Sequence, residues 1–517
     1  MNVVMIGLDA LRADRLGCYG YRKATSPFID SLAKNGVLFE NHFTPSVPTQ
    51  PAFTTIYSGA HPLTTRVVSH EGTATPNPGV TWLPLLMRHH KYCTITVDNL
   101  VDHKQWFARG WEYYINPRRR GEFPACHVFN QRAIEWLEKT RRDPFFLAMH
   151  YWDTHTPYQP LKPEYVNLFY QGDPTVKNKG SLDAFYANPQ VERWPAGWLG
   201  DILTSYKGTK TGSRVEDLNF ITAHYDAEVR TTDDGVRELC ESLQRNGLWD
   251  DTLLVIFGDH GEELGEHGIF FDHHGLYDSN LHVPMILHWP KGLKGHEGRR
   301  VSSMTQHQDI CATVLDAIGA PVPTDVVEGR SLLPLARGEQ ATSHWGHTLM
   351  ACEGTWQAKW ALRTSEYKLI VSREPDLHSK PPVELYDLLE DPGEKRDLAE
   401  REPDLTKRLL EQFNQNLIKM MTQRGLEHDL IAPGMLTLGK RFFERQGKPY
   451  PPRDPNWKGI APPVIKYNKT AAPAAAKAVK PAAAPAPAKP AAPAAAVKPA
   501  AAPAVTPAVK PATPAAK

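Results

Sequence analysis

Charge of one sign is what this 517-residue chain lacks: 59 Lys and Arg stand against 58 Asp and Glu. That balance supplies no basic surface, so no nucleic-acid partner is expected. Cysteine is also scarce. Cys18, Cys93, Cys126, Cys240, Cys311 and Cys352 are scattered with no CxxC pair, which reads as reduced thiols rather than a disulfide framework. No apolar run reaches membrane-spanning length, so no membrane span is expected. The first apolar segment begins at Val3 and leaves no room for a signal peptide ahead of it. With Met1 as the native start, a cytoplasmic location is expected. The length allows a large core and more than one domain.

What is present is concentrated at strand ends. Thr252-Leu253-Leu254-Val255-Ile256-Phe257-Gly258 is an apolar, β-branched run followed by Asp259, His260 and Gly261. It predicts a buried strand that carries a carboxylate and an imidazole to the carboxyl edge of a sheet, where open α/β folds place ligands. A carboxylate beside a neutral imidazole suits a divalent metal, although loop polarity alone would also give the pair. Val3-Val4-Met5-Ile6-Gly7-Leu8 predicts a second such strand, ending at Asp9. Asp9 is either a second metal ligand or the N-cap of a following helix. In Thr49-Gln50-Pro51-Ala52-Phe53, the flanking Pro48 and Pro51 restrict the backbone and place a helix start at Thr49. A hydroxyl there lies where helix N–H groups favour an anion, or it simply caps the helix.

Taken in order, these segments resemble the sulfatase branch of the alkaline phosphatase superfamily over residues 1 to about 400. The resemblance rests on IGLDALRADRLGCYGY, SPFIDSLAKNGVLFENHFTPS, FFLAMHYWDTHTPY, the stretch from Tyr225 through GDHGEELGEHG, and ELYDLLEDPGEKRDLA. It implies an α/β fold: a mostly parallel central sheet between helices, with a smaller C-terminal α+β subdomain. It also implies that Asp9, Thr49, Asp259 and His260 bind one divalent cation. His155 matches the family's substrate-contacting histidine, and His273 falls where relatives often have a lysine. Either of these could protonate a leaving oxygen, a role suited to histidine. His70, Asn99 and His274 are further pocket candidates, and Arg66 is a weaker one. A second cation held by Asp153, His155 and His274 is the less favoured alternative.

The departures from the family pattern carry as much information. Sulfatases oxidise a Cys or Ser, followed by x-Pro-Ser-Arg, to formylglycine. Anchored on Pro51, that first position is Thr49, the Ser is Ala52 and the Arg is Phe53. A rival register on Ser46-Val47-Pro48-Thr49-Gln50 fits the spacing to Gly59 less well. Threonine is not expected to become formylglycine, so it lacks the aldehyde that lets a sulfated hydrate collapse. A phosphorylated threonine, by contrast, can be cleared by in-line attack of water. The resemblance therefore implies a metal-dependent phosphoesterase acting through phospho-Thr49 on a small-molecule diester, monoester or phosphonate. A sulfatase and a non-catalytic binding protein remain as alternatives. Ala10 stands where many relatives have a second acid, which favours zinc or manganese, with calcium also admitted. Relatives are often dimers or tetramers, so a homo-oligomer is open.

The expected organisation is a catalytic domain over 1–340, a C-terminal subdomain over 341–425, a Pro- and aromatic-rich extension over 426–467, and a tail over 468–517. The tail is almost only Ala, Pro, Val and Lys. Its prolines oppose a helix and nothing in it can form a core, so it is expected to be disordered. A long helix is expected over Val215–Gly247, with an irregular insertion over Ser181–Val215 before it.

Overall fold

The computed structural model describes residues 1–70, 75–118, 124–177, 181–187, 214–375, 377–432 and 459–465, with 199, 202, 203, 437, 440, 441, 444 and 447 singly. Most of the expected insertion, most of the 426–467 extension and the whole tail lie outside the described residues.

Thirteen strands and seven helices position the site. The strands are β1 (Asn2–Leu8), β2 (Val37–Phe39), β3 (Ser46–Val47), β4 (Cys93–Val97), β5 (Tyr113–Ile115), β6 (Phe145–Tyr151), β7 (Thr252–Gly258), β8 (Met285–His288), β9 (Arg299–Val301), β10 (Leu349–Glu353), β11 (Lys359–Arg363), β12 (Tyr367–Ser372) and β13 (Val383–Asp387). The helices are α1 (Pro27–Asn35), α2 (Thr49–Ser58), α3 (Cys126–Lys139), α4 (Leu218–Arg245), α5 (Asp278–Leu281), α6 (Gln308–Ala317) and α7 (Pro403–Gln423).

The large sheet runs β9-β2-β8-β7-β1-β6-β4-β5. The block β7-β1-β6-β4-β5 is parallel, and β8 enters antiparallel to both β7 and β2. Every residue of β1, β6 and β7 is buried. Sheets covered by helices on both faces need such continuous apolar strands. The helix expected over Val215–Gly247 is α4, which starts at Leu218, where the Asp217 side chain accepts the Asn219 N–H. A buried carboxylate of α4, Asp233, accepts the N–H groups of Phe28 and Ile29 at 2.9 and 2.7 Å. It thereby caps α1, which Ser26 leaves without a side-chain cap.

The second sheet runs β13-β12-β11-β10-β3. Its side chains alternate strictly. Trp360, Leu369 and Leu385 face Leu409, Phe413, Leu417 and Met421, a four-residue repeat along α7. Ala361, Ile370 and Tyr386 face Phe43, Tyr277 and Leu281 of the α/β region. Full burial of each such apolar side chain contributes about 1.5–3 kcal/mol. The edge strand of this sheet, β3, comes from immediately before α2.

Candidate active site

Three neighbouring strands assemble the polar centre. Leu8 lies opposite Tyr151 on one side and Gly258 on the other. The next residues, Asp9 and Asp259, therefore leave the sheet side by side at its carboxyl edge. Ala10 takes a left-handed φ of 53°, a conformation costing a non-glycine residue about 1–3 kcal/mol. Its N–H donates to Asp259 Oδ1 at 3.1 Å, and the His260 N–H donates to the same oxygen at 2.7 Å. Asp259 Oδ2, like both oxygens of Asp9, is buried with no hydrogen-bond partner.

His260 Nδ1 faces the Gly261 carbonyl at 2.9 Å, which assigns the proton to Nδ1 and the lone pair to Nε2. Nε2 lies 3.2 Å from Thr49 Oγ1, 3.6 Å from Asp9 Oδ1 and 3.5 Å from Asp259 Oδ2. Ligands held about 2.1 Å from a tetrahedral ion are about 3.4 Å apart, so these separations match the edges of a coordination shell. Among the described residues, Asp9, Asp259 and His260 form a group of metal-donor side chains with all ligand atoms within 4.8 Å. Burial pushes the Asp259 carboxyl well up, and the charge of Asp9 adds to this. Burial also opposes the charge of Asp9, but His150, His155 and His260 hold it below the usual carboxylate range. Two facing buried carboxylates with orphaned oxygens fit a divalent cation, which would let both ionise.

Thr49 opens α2, whose ten residues are all buried. The helix reaches Thr49 because Pro48, at the N-cap, has no N–H to satisfy there. Ser46, the rival nucleophile position, lies instead in β3, paired with Cys352.

Histidine rings line the remaining wall. The His273 ring centroid is 4.6 Å from that of His260 and 5.2 Å from that of His155. His155 Nδ1 faces the Thr156 carbonyl, so its Nε2 carries the lone pair when the ring is neutral. His273 Nδ1 lies 3.6 Å from Glu262 Oε2 and 3.7 Å from Asp272 Oδ1. His70 packs on His103 at 5.0 Å, and its backbone N–H donates to Thr355 Oγ1 at 2.8 Å. Burial holds His260 below its ordinary range, pushes His273 and His70 well below it, and brings His103 down to about 4. Near neutral pH these rings act as neutral donors and acceptors.

Other candidates lie apart from the carboxylate pair. His274 Nε2 meets Asp272 Oδ2 at 3.2 Å, its Nδ1 meets His378 Nε2 at 3.2 Å, and its ring packs on Trp356 at 4.6 Å. It thus joins the C-terminal region to the pocket wall. Asn99 follows β4, which β6 separates from β1, and its buried amide has no hydrogen-bond partner. Arg66 is exposed, in a left-handed turn of φ 62°. Both oxygens of Asp153 accept the Cys126 N–H at 3.0 Å, capping α3. Burial raises the Asp153 carboxyl to about 6. Asp153, His155 and His274 therefore point to different partners, and no second cation set forms from them.

The sequence reading passed over His150, Glu262, Trp356 and His378. A lone histidine within the apolar run FFLAMHYW was the available signal for His150. Trp356 and His378 reach the pocket wall only through tertiary packing, and no local pattern marks them.

Comparison with known proteins places this geometry. The sulfatase family model matches residues 1–320, and the model for the C-terminal region of N-sulphoglucosamine sulphohydrolase matches residues 265–423. An N-acetylglucosamine-6-O-sulfatase of Bacteroides thetaiotaomicron is 23% identical over 474 residues, covering 77% of this chain and 82% of that protein. The multifunctional alkaline phosphatase superfamily protein PehA of Trinickia caryophylli is 23% identical over 401 residues, covering 65% and 77%. The crystal structure of a phosphonate monoester hydrolase of Agrobacterium radiobacter superposes with a TM-score of 0.62 at 20% identity, covering 82% of this chain and 95% of that one. The chain belongs to the sulfatase family of the alkaline phosphatase superfamily.

Proposed function

We propose that this sulfatase-family hydrolase cleaves phosphate esters, with Thr49 as the nucleophile. The observation that carries the reading is Thr49 Oγ1 seated 3.2 Å from His260 Nε2, beside the Asp9 and Asp259 carboxylates. Members of the family generally bind a divalent metal ion, and Asp9, Asp259, His260 and Thr49 would hold it here. When bound, such an ion lowers the hydroxyl's pKa and offsets charge on the nonbridging oxygens.

The chain's own residues define the remaining steps. Thr49 Oγ forms a bond to phosphorus as the bond to the leaving alcohol breaks, and the hydroxyl proton is lost to solvent. The leaving oxygen takes its proton from solvent on the side lined by His155 and His273. Water then attacks phosphorus from the vacated side and breaks the P–Oγ bond, which restores Thr49. In-line displacement of this kind needs positioning above all, which α2 and its buried neighbours provide. A sulfated threonine lacks the exit by which a sulfated formylglycine hydrate is cleared, because the carbon bearing the oxygen has no second hydroxyl with which to collapse to an aldehyde.

Sulfate-ester hydrolysis is the rival reading, favoured by the sulfatase relatives. Assays of p-nitrophenyl sulfate beside p-nitrophenyl phosphate, its bis-ester and p-nitrophenyl phenylphosphonate decide between them. With zinc or manganese, phosphorus ester turnover is expected to dominate in kcat/KM. Dominant sulfate turnover would sink the proposal.

A further inference from the structure

The two carboxylates of the centre are held very differently. Asp259 is fixed by two backbone N–H groups on Oδ1. The Asp9 carboxylate receives none; at its backbone the N–H donates to the Tyr151 carbonyl at 2.9 Å and the carbonyl accepts the Thr154 hydroxyl. Near its carboxylate, Oδ1 looks toward His260, and Oδ2 lies 3.4 Å from His150 Nε2. That histidine is fully buried, and neither ring nitrogen has a hydrogen-bond partner.

The packing explains why His150 sits there. It pairs across the sheet with Gly7 of β1, two residues before Asp9. Gly7 has no side chain, and a Cβ there would come within 2.7 Å of the Phe53 ring. Phe53 therefore lies over the strand and packs on the His150 ring at 4.4 Å, with Trp152 at 4.8 Å on its other contact. The imidazole is wedged between two aromatics with Nε2 toward the carboxylate. Residues 10 and 53, Ala and Phe, offer no charged group to share this task.

We propose that His150 is a positioning residue: its Nε2–H, held 3.4 Å from Asp9 Oδ2, is the donor that Oδ2 takes up as Oδ1 turns toward the cation. This rests on the reading of Asp9 as a metal ligand. Carboxylate ligands are themselves hydrogen-bonded, and loss of the outer partner weakens metal binding about 10–100-fold.

The test is Co2+ titration of the metal-free full chain, following the visible d–d absorption and the dissociation constant, with thermal unfolding as a check on folding. His150→Phe keeps an aromatic ring between Phe53 and Trp152 but removes the donor. His150→Gln restores an N–H near the position of Nε2 but loses the ring. A positioning role predicts that His150→Phe binds Co2+ about 10–100-fold more weakly, with an altered spectrum, and that His150→Gln recovers most of the affinity. A purely structural role predicts the reverse order, and equal affinity in all three proteins also overturns the proposal. If the unsubstituted chain binds no Co2+, the reading of Asp9, Asp259 and His260 as a metal centre fails, and this inference fails with it.

Discussion

At the scale of single residues, the proposed chemistry rests on one hydroxyl. Thr49 is 2% exposed, with Oγ1 on His260. Thr49→Ala removes one hydroxyl and one methyl from a buried helix start, a loss of about 1–2 kcal/mol that a folded chain of this size tolerates. Turnover of phosphorus esters is expected to fall at least about 10³-fold in kcat/KM, with Co2+ still bound through the two aspartates and His260. Thr49→Ser keeps the nucleophile and is expected to retain activity within about tenfold. Steady-state kinetics alongside circular dichroism check both variants. Undiminished turnover by Thr49→Ala would remove the assigned nucleophile. The pair Asp9 and Asp259 was legible in sequence because each follows an apolar run, and a buried strand must release its first polar residue at the sheet edge. His150 was not, because its role depends on the register of β6 against β1 and on Phe53 filling the space over Gly7.

Among elements, the join of α5 to the second sheet carries a cluster of buried charge. Lys368 of β12, fully buried, lies 2.5 Å from Asp278 Oδ1 and 2.7 Å from Glu394 Oε1. Arg363 of β11 meets Asp278 Oδ2 at 2.9 Å. Burial opposes the charge of Asp278, but Arg363 and Lys368 overcome it and hold that carboxyl far below its ordinary 3.8. Burial drives Glu394 the other way, so Asp278 carries the negative charge of the join. A depressed native pKa means that the unfolded chain binds the proton first. The stabilisation is therefore complete above about pH 4 and is lost as acidification proceeds below it. Lys368→Met removes the cation that Asp278 and Glu394 share, leaving Asp278 with Arg363 alone, and is expected to cost about 3–5 kcal/mol. Urea unfolding at pH 7 and at pH 3.5 measures it, and the gap between wild type and variant should narrow at the lower pH. An equal gap at both would mean that the charges contribute nothing specific. The join was invisible in the sequence: Asp278, Arg363, Lys368 and Glu394 stand in four separate segments, and each alone looks like a charge facing solvent.

For the whole molecule, the second sheet helps to place Thr49, the proposed nucleophile. β3 pairs with β10 through Ser46 opposite Cys352 and Val47 opposite Glu353, and the Cys352 N–H donates to the Pro45 carbonyl at 3.0 Å. Two residues later α2 begins with Thr49. The backbone entering α2 is thus anchored by a strand some 300 residues away, and a two-residue strand is too short to show the alternation by which strands are recognised. The same sheet supplies Trp356 and His378 against His274 through its connecting loops. A chain ending at residue 340 would leave β3 without its ladder partner and expose Phe43, Val47, Tyr277 and Leu281, all of which pack on Leu349, Ala351, Ala361 and Ile370. Lost burial of that kind is worth about 1.5–3 kcal/mol per side chain, so the four together lose a sum comparable to the roughly 5–15 kcal/mol by which folded domains are stable. The truncated chain is expected to lose cooperative thermal unfolding and Co2+ binding together, because the loop after Asp259 is tied to α5 by the Gly261 N–H on the Asn280 carbonyl at 2.9 Å, and Leu281 of α5 is part of the surface laid bare. Calorimetry and metal titration of the 1–340 fragment test this. A fragment that melts cooperatively and binds Co2+ as the full chain does would show that the metal centre is built by the large sheet alone, with β3 merely resting on its neighbour.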